Sequence, residues 1–332
     1  MLYCLLLAVL TVLILSSDTS AQPLIEDTAR FGHAGSFNPF KMPDYFTWEP
    51  TSGRKTVGQI DHHPGKFEPH GSGKVLIFLE LGALRLPDWH TDSAYEILKN
   101  LASGENNEVW MYSVKDLKYL DKYMTIPNLN IATEHGAVLR MAGSDVINNA
   151  VHTEVPQIKT AMAEIAKRYP IFNIHLLAGV NTVSFKYNTQ YHDYFEPVVV
   201  ADITKMLEQS HRDFTFRLDQ IGYGEIKHKE SDRGNLIHHL LATKWYSRGI
   251  AIGRRDVDEG MFKAMNIANS FGANFHTVIV SKSEEQETSA KYKLEDTFQV
   301  LRLLTDYVRR QDNFKCAIQT GQIDPIKPPP DS

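Results

Sequence analysis

The chain has 332 residues, 42% of them hydrophobic and 23% charged, so it carries enough apolar material for a packed core and is neither low-complexity nor compositionally disordered. Its 35 Lys+Arg stand against 40 Asp+Glu, and the net charge of -5 argues against a general affinity for nucleic acid and confines any anion site to a local cluster. Two cysteines exclude a disulfide scaffold, and the length suits two compact units, or one core carrying an insertion, at about 100–200 residues per domain.

The first segment, Leu2 to Leu15, is apolar but short for a membrane span, and Thr19 and Ala21 behind it are spaced like a signal-peptidase site. Residues 1–21 therefore read as a signal peptide cleaved after Ala21, giving a secreted chain with no stable membrane span; an uncleaved signal anchor is the alternative. Residues 22–73, rich in Pro, Gly, His and aromatic residues without periodicity, read as an irregular arm. His62, His63, His70 and His90 match no closed ligand set, and no metal is expected from them.

From Lys74 onward short apolar runs alternate with amphipathic segments. Val75–Leu79, Val109–Tyr112, Gly249–Ile252 and Thr277–Val280 read as strands buried on both faces, as a parallel sheet requires. Helical spacing appears in Ile158, Met162, Ile165 and Tyr169, in Leu236 and Leu240, and in Val300, Leu304 and Val308. Strand and helix in alternation predict an α/β fold. The stretch 143–224 holds its own helices and strands, with Thr182–Tyr187 alternating like a half-solvated sheet, and reads as a separate small α/β lobe; residues 311–332 form a tail.

One order of motifs is specific. Leu79-Glu80-Leu81-Gly82-Ala83-Leu84 is followed by Ser113-Val114-Lys115, by Glu134-His135-Gly136, by Arg233-Gly234, by Gly253-Arg254-Arg255-Asp256-Val257-Asp258-Glu259-Gly260-Met261-Phe262, and by Thr288-x-Ala290-x-Tyr292-x-Leu294-x-Asp296. Over about residues 74–310 this resembles the trehalose-6-phosphate phosphatases of the haloacid dehalogenase superfamily. The resemblance implies a doubly wound, Rossmann-type parallel-sheet core, formed by residues 74–142 and 225–310, with an inserted α/β cap at 143–224. It also implies a phosphoric monoester hydrolase that uses an aspartate nucleophile, a second aspartate as acid/base, and Mg²⁺.

Carried over position by position, the chemistry does not survive. Leu79 and Leu81 stand where the resemblance implies the two aspartates, and Glu80, one methylene longer, would misplace in-line attack by about the angstrom that such geometry tolerates. Arg254 and Arg255 stand where carboxylates would hold Mg²⁺, and only Asp258 and Glu259 remain, as residual candidates equally well explained as capping charges. An arginine about 4 Å from a cation repels it by roughly 4 kcal/mol at an effective dielectric near 20. No metal is expected, and no cofactor.

The substitutions collect cations instead. Ser113, Lys115, Arg233, Arg254 and Arg255 would share the carboxyl ends of neighbouring strands, where open α/β sheets take their ligands, and would suit a phosphorylated or sulfated sugar or another small anion. Glu134, His135 and Gly136, with Lys186 and Tyr187 of the cap, are the substrate-side positions, and Glu134-His135-Gly136 reads equally as a fold-stabilising turn. Glu225–Asp232 reads as a solvated strand and loop of mixed charge. The expectation is a secreted, catalytically inactive relative that binds an anion or a protein partner. A phosphatase with residual activity and a purely structural or interaction role are the alternatives.

Overall fold

The computed structural model of the chain describes residues 55–319 apart from 63, 65–66, 68–72, 85–90, 115–116, 149–151, 178, 219–221, 255 and 271. The apolar segment Leu2–Leu15, the site after Ala21, most of the 22–73 arm, Lys115 and Arg255 lie outside the described residues. In chain order the strands are β1 (Lys55–Thr56), β2 (Asp61–His62), β3 (Lys74–Glu80), β4 (Asn107–Tyr112), β5 (Leu129–Thr133), β6 (Val138–Arg140), β7 (Val146–Asn148), β8 (His175–Leu176), β9 (Val183–Lys186), β10 (Phe214–Leu218), β11 (Tyr223–His228), β12 (Tyr246–Gly253), β13 (Asn274–Val280), β14 (Glu287–Thr288) and β15 (Tyr292–Leu294). The longer helices are α1 (Thr91–Ala102), α2 (Val155–Arg168), α3 (Ala201–Ser210), α4 (Arg233–Thr243), α5 (Glu259–Asn269) and α6 (Thr297–Gln319).

A nine-stranded sheet in the order β2-β15-β13-β12-β3-β4-β5-β6-β7 forms the core, parallel from β2 to β5 and ended by the antiparallel hairpin β6-β7. The sequence of β3 shows why both faces must be covered. Side chains alternate across a strand, and here Val75, Ile77 and Leu79 meet Leu98 and Leu101 of α1 and Leu304 of α6. Leu76 and Phe78 leave on the other face, toward Leu236 and Ile237 of α4 and Met261 and Phe262 of α5. Each such side chain, fully buried, contributes about 1.5–3 kcal/mol, so helices on both faces are what make the run affordable in water. The expected doubly wound α/β core is what the chain forms.

The smaller lobe is a four-stranded antiparallel sheet, β10-β11-β9-β8, whose Val183, Phe185 and Ile226 pack on Ile158, Met162 and Ile165 of α2 and on Ile203 and Leu207 of α3. Its limits differ from the sequence reading. Val146–Asn148 pairs with β6 in the core sheet, and Glu225–His228 belongs to the lobe's sheet, so the sheets divide after residues 148 and 228, not at 143 and 224. Asp61–His62, read as part of the arm, pairs with β15, and α6 runs on to Gln319, into the stretch read as a tail.

Two periodicity readings are also corrected. Tyr169 stands beyond the end of α2, because the proline at 170 disfavours a helical residue before it. Thr182–Tyr187 is not half-solvated: Thr182, Val183, Ser184, Phe185 and Tyr187 are all buried, since the face opposite α2 takes contacts from Tyr223 and from the core residue Glu134. Among the described residues no helix is long and apolar enough to cross a membrane.

Helices α4 and α5 approach closely where the sequence places Gly234. A β-carbon there would lie 2.6 Å from the Gly260 carbonyl oxygen, a backbone atom, and 2.9 Å from the Asp232 side-chain Oδ1. Gly234→Ala is therefore expected to lower stability by about 1–3 kcal/mol through overpacking. A lower denaturation midpoint in urea with an unchanged slope would register that loss.

Candidate functional site

The carboxyl ends of β3, β4, β5 and β12 meet the amino ends of α4 and α5, and the sequence motifs converge on this edge. Leu79 is fully buried within the apolar face shared with α1, leaving no oxygen at that position. Leu81 packs half-buried against the same cluster. Glu80 turns back on its own chain, its Oε2 accepting the Ala83 backbone N–H at 2.9 Å. Ser113 is buried at the end of β4, with its backbone N–H on the Ala132 carbonyl.

At the centre is a pair of opposite charges withdrawn from water. Arg233 Nη1 meets Asp258 Oδ1, with 1% and 0% of the two side chains exposed. The guanidinium lies over the Tyr112 ring, 4.1 Å from its centroid, and burial pushes the Tyr112 hydroxyl well above the usual phenol range although Arg233 acts in the opposite direction. The second carboxylate oxygen of Asp258 accepts the Arg254 backbone N–H at 2.7 Å. The Arg254 side chain itself is exposed and reaches across to the Gly82 carbonyl at 2.9 Å.

Asp258 and Glu259 thus do not act as simple helix caps. Asp258 makes no side-chain cap bond to its helix. Glu259 is buried and holds the Thr288–Ala290 turn, accepting the Thr288 hydroxyl at 2.7 Å and the Ser289 N–H at 2.6 Å. That contact also accounts for the threonine of the last motif. Asp232 is the residue that caps α4, through the Gly234 N–H at 2.6 Å.

Glu134, His135 and Gly136 form the corner between β5 and β6, with φ of 48°, 60° and 85°. Three successive left-handed residues are costly for the two that carry a β-carbon, at about 1–3 kcal/mol each. The corner is held from the lobe. The Glu134 carboxylate accepts the backbone N–H groups of Val180, Asn181 and Thr182 and the Thr182 hydroxyl, at 2.7 to 3.2 Å. His135 Nε2 lies 2.9 Å from Glu225 Oε2 of β11, both side chains 1% exposed. Burial holds His135 below the usual imidazole range, while Glu225 acts in the opposite direction. Burial opposes ionisation of Glu225 as well, but His135, Arg217 and Lys227 overcome it and bring the carboxyl down to about 2.

Glu225 is the residue that sequence reasoning missed, because its run of mixed charge looks the same whether its partners are water or side chains. The only trace in the sequence is the alternation of Glu225 and Lys227 around buried Ile226. Lys227, half-buried and held below the usual amine range by burial, donates to the Ser231 carbonyl at 2.5 Å. Lys186 and Tyr187 do not join the site. Lys186 is exposed at the end of β9, whereas Tyr187 is buried in the lobe's own core, stacked on Phe195 at 3.9 Å. Of the expected cation cluster, Arg233 is committed to Asp258 and Arg254 remains at the surface.

Mg²⁺ requires a near-octahedral set of oxygens. Here Glu80 is engaged with Ala83, Asp258 with Arg233 and the Arg254 amide, and Leu79 supplies none. Among the described residues no group of three or more His, Cys, Asp or Glu side chains is placed to hold a metal. The residues present do not fit the ion.

Residues 87–170 match the family model of trehalose-phosphatase. No curated protein matches the chain. Among solved structures, the C-terminal domain of Candida albicans trehalose-6-phosphate phosphatase is 18% identical, with a TM-score of 0.59 over 72% of this chain and 93% of that one. The C-terminal domain of the Candida albicans trehalose synthase regulatory protein is 16% identical, with a TM-score of 0.58 over 70% and 94%. A haloacid dehalogenase-like hydrolase from Bacteroides thetaiotaomicron is 12% identical, with a TM-score of 0.51 over 70% and 98%. The fold is that of the haloacid dehalogenase-like α/β proteins.

Removing one member of a buried ion pair leaves the other uncompensated, at about 3–5 kcal/mol. Arg233→Met and Asp258→Leu, each alone, are expected to destabilise by that amount, and the double variant to recover most of it. A double-mutant cycle on urea-unfolding free energies measures the coupling; additive losses would show that the pair is not a unit.

Proposed function

We propose that this chain, whose residues 87–170 match the trehalose-phosphatase model on a haloacid dehalogenase-like fold, is a secreted trehalose-phosphatase-like protein that does not hydrolyse phosphate esters and acts by binding. The buried Arg233–Asp258 pair carries the reading. The acid retained at the end of β12 is neutralised in place by a guanidinium, so it has neither a free oxygen for a metal nor a free proton to transfer. Leu79 removes the nucleophile from the same edge, and Glu80 is folded back on Ala83. Secretion is supported by the apolar segment Leu2–Leu15 with Thr19 and Ala21 behind it. A neighbour in fold is named as a regulatory protein of trehalose synthase, which is in keeping with a role outside catalysis.

The ligand that the chemistry favours is a small anion such as a phosphorylated or sulfated sugar. Arg254 supports this: its guanidinium is exposed at the strand ends, and a guanidinium fork matches an anionic oxygen pair without a metal.

The purified chain incubated with trehalose 6-phosphate and Mg²⁺ is expected to release phosphate no faster than a blank. Turnover in the ordinary enzyme range of about 1–10³ s⁻¹ would overturn the reading. Calorimetric titration with trehalose 6-phosphate is expected to give heat that Arg254→Ala loses; heat unchanged in that variant would move the anion away from this edge.

A further inference from the structure

The chain crosses between core and lobe twice, inward between β7 and α2 through His152, and outward between β11 and α4 through Lys229–Asp232. The two crossings touch through imidazoles. His152 and His228 lie face to face, ring centroids 4.2 Å apart and planes 9° from parallel. Phe214 of β10 stands edge-on to both, at 5.7 and 5.4 Å. The outgoing turn is built on His228: its Nδ1 accepts the Glu230 N–H at 3.3 Å and its carbonyl accepts the Ser231 N–H at 3.0 Å. Lys229 N–H bonds the Asp213 carbonyl at 2.8 Å. On the incoming side Glu154 Oε1 lies 3.0 Å from Nδ1 of His211.

We infer that His152 and His228 form an acid-released clasp that fastens the two crossings together at neutral pH and lets the outgoing one go when both rings take up protons. The stack accommodates neutral rings; two imidazolium ions at 4.2 Å repel each other. A proton on Nδ1 of His228 also removes the lone pair that the Glu230 N–H uses, so that a donor would face a donor.

The charged groups acting on His152 are Glu154 on the incoming linker and Glu230 on the outgoing one, and Lys229 beside Glu230 is tied by its backbone N–H to the Asp213 carbonyl at the corner that leads into β10. Burial, and then His228, hold His152 below the usual imidazole range, while Glu154 and Glu230 act the other way. The closed form thus binds fewer protons than the open form, and its advantage, full above the ordinary imidazole value of about 6.5, is lost as pH falls below it. The incoming linker has the additional contact between Glu154 and His211, so the part released is 229–232, which leads directly to Arg233.

Hydrogen exchange of the full chain at about pH 7.5 and about pH 5, corrected for intrinsic rates, tests this. The amides of Lys229, Glu230 and Ser231 are expected to exchange about tenfold faster or more at the lower pH, while Ile250–Ile252 in β12 hold their rates. His152→Phe keeps a stacked ring that cannot charge and is expected to abolish the acceleration; His228→Phe, read at Lys229 and Ser231, serves if that variant does not fold. No acceleration in the native chain, acceleration shared by β12, or acceleration persisting in a folded phenylalanine variant would each overturn the clasp.

Discussion

Two opposite charges taken out of water must satisfy each other, and the architecture of the strand edge follows from Arg233 and Asp258 doing so. The pair joins the first turn of α4 to the entry of α5, over the ring of Tyr112 from β4. Through Asp258 it also fixes the Arg254 amide at the end of β12. Four elements of the core therefore meet at one ion pair. It also gives Asp258 a part in the fold that is independent of any chemistry, since a buried arginine opposite is stabilised by an acid at 258. Survival of a motif residue here reports on electrostatics of the fold.

The same accounting of charge runs through the junction of the two lobes. Glu225 is met by His135, with Arg217 and Lys227 nearby, and the Glu134 carboxylate is met by three amides and a hydroxyl. Among the described residues the apolar clusters, by contrast, do not cross the junction. One consists of lobe residues between Val155 and Ile226, and the other two consist of core residues. What joins the lobes is polar and directional, whereas each lobe has its own apolar cluster or clusters.

Much of this was legible in the sequence, for physical reasons that differ by element. Buried parallel strands such as Val75–Leu79 announce themselves, because both faces must be apolar and the run is long enough to be seen. The three-residue β7 is too short to show alternation, and β11 carries charges on a strand with buried neighbours, so the lobe was delimited wrongly on both sides. That Leu79, Leu81 and Arg254 offer no side-chain oxygen is plain from the sequence. The pairing of Arg233 with Asp258, and of His135 with Glu225, could not: each joins residues far apart in the chain, and nothing in either local sequence specifies the other. Lys186 and Tyr187 show the opposite error, in which a strand end that looks exposed turns its aromatic side chain into a core.

The strained corner at 134–136 gives the junction a definite energetic character. Left-handed Glu134 and His135 together cost about 2–6 kcal/mol, and hydrogen bonds to a charged acceptor return about 1.5–3 kcal/mol each. The four donors on Glu134 all come from residues 180–182, so the conformation of the corner is favourable only while the lobe is seated. Seating of the lobe and shape of the corner are then one two-state element, not two independent features. The outgoing linker between His228 and Arg233 is the other boundary of that element, and it ends on the ion pair that closes the strand edge. A perturbation that frees this linker acts on the site through a single covalent neighbour, without any need for a path across the hydrophobic cores.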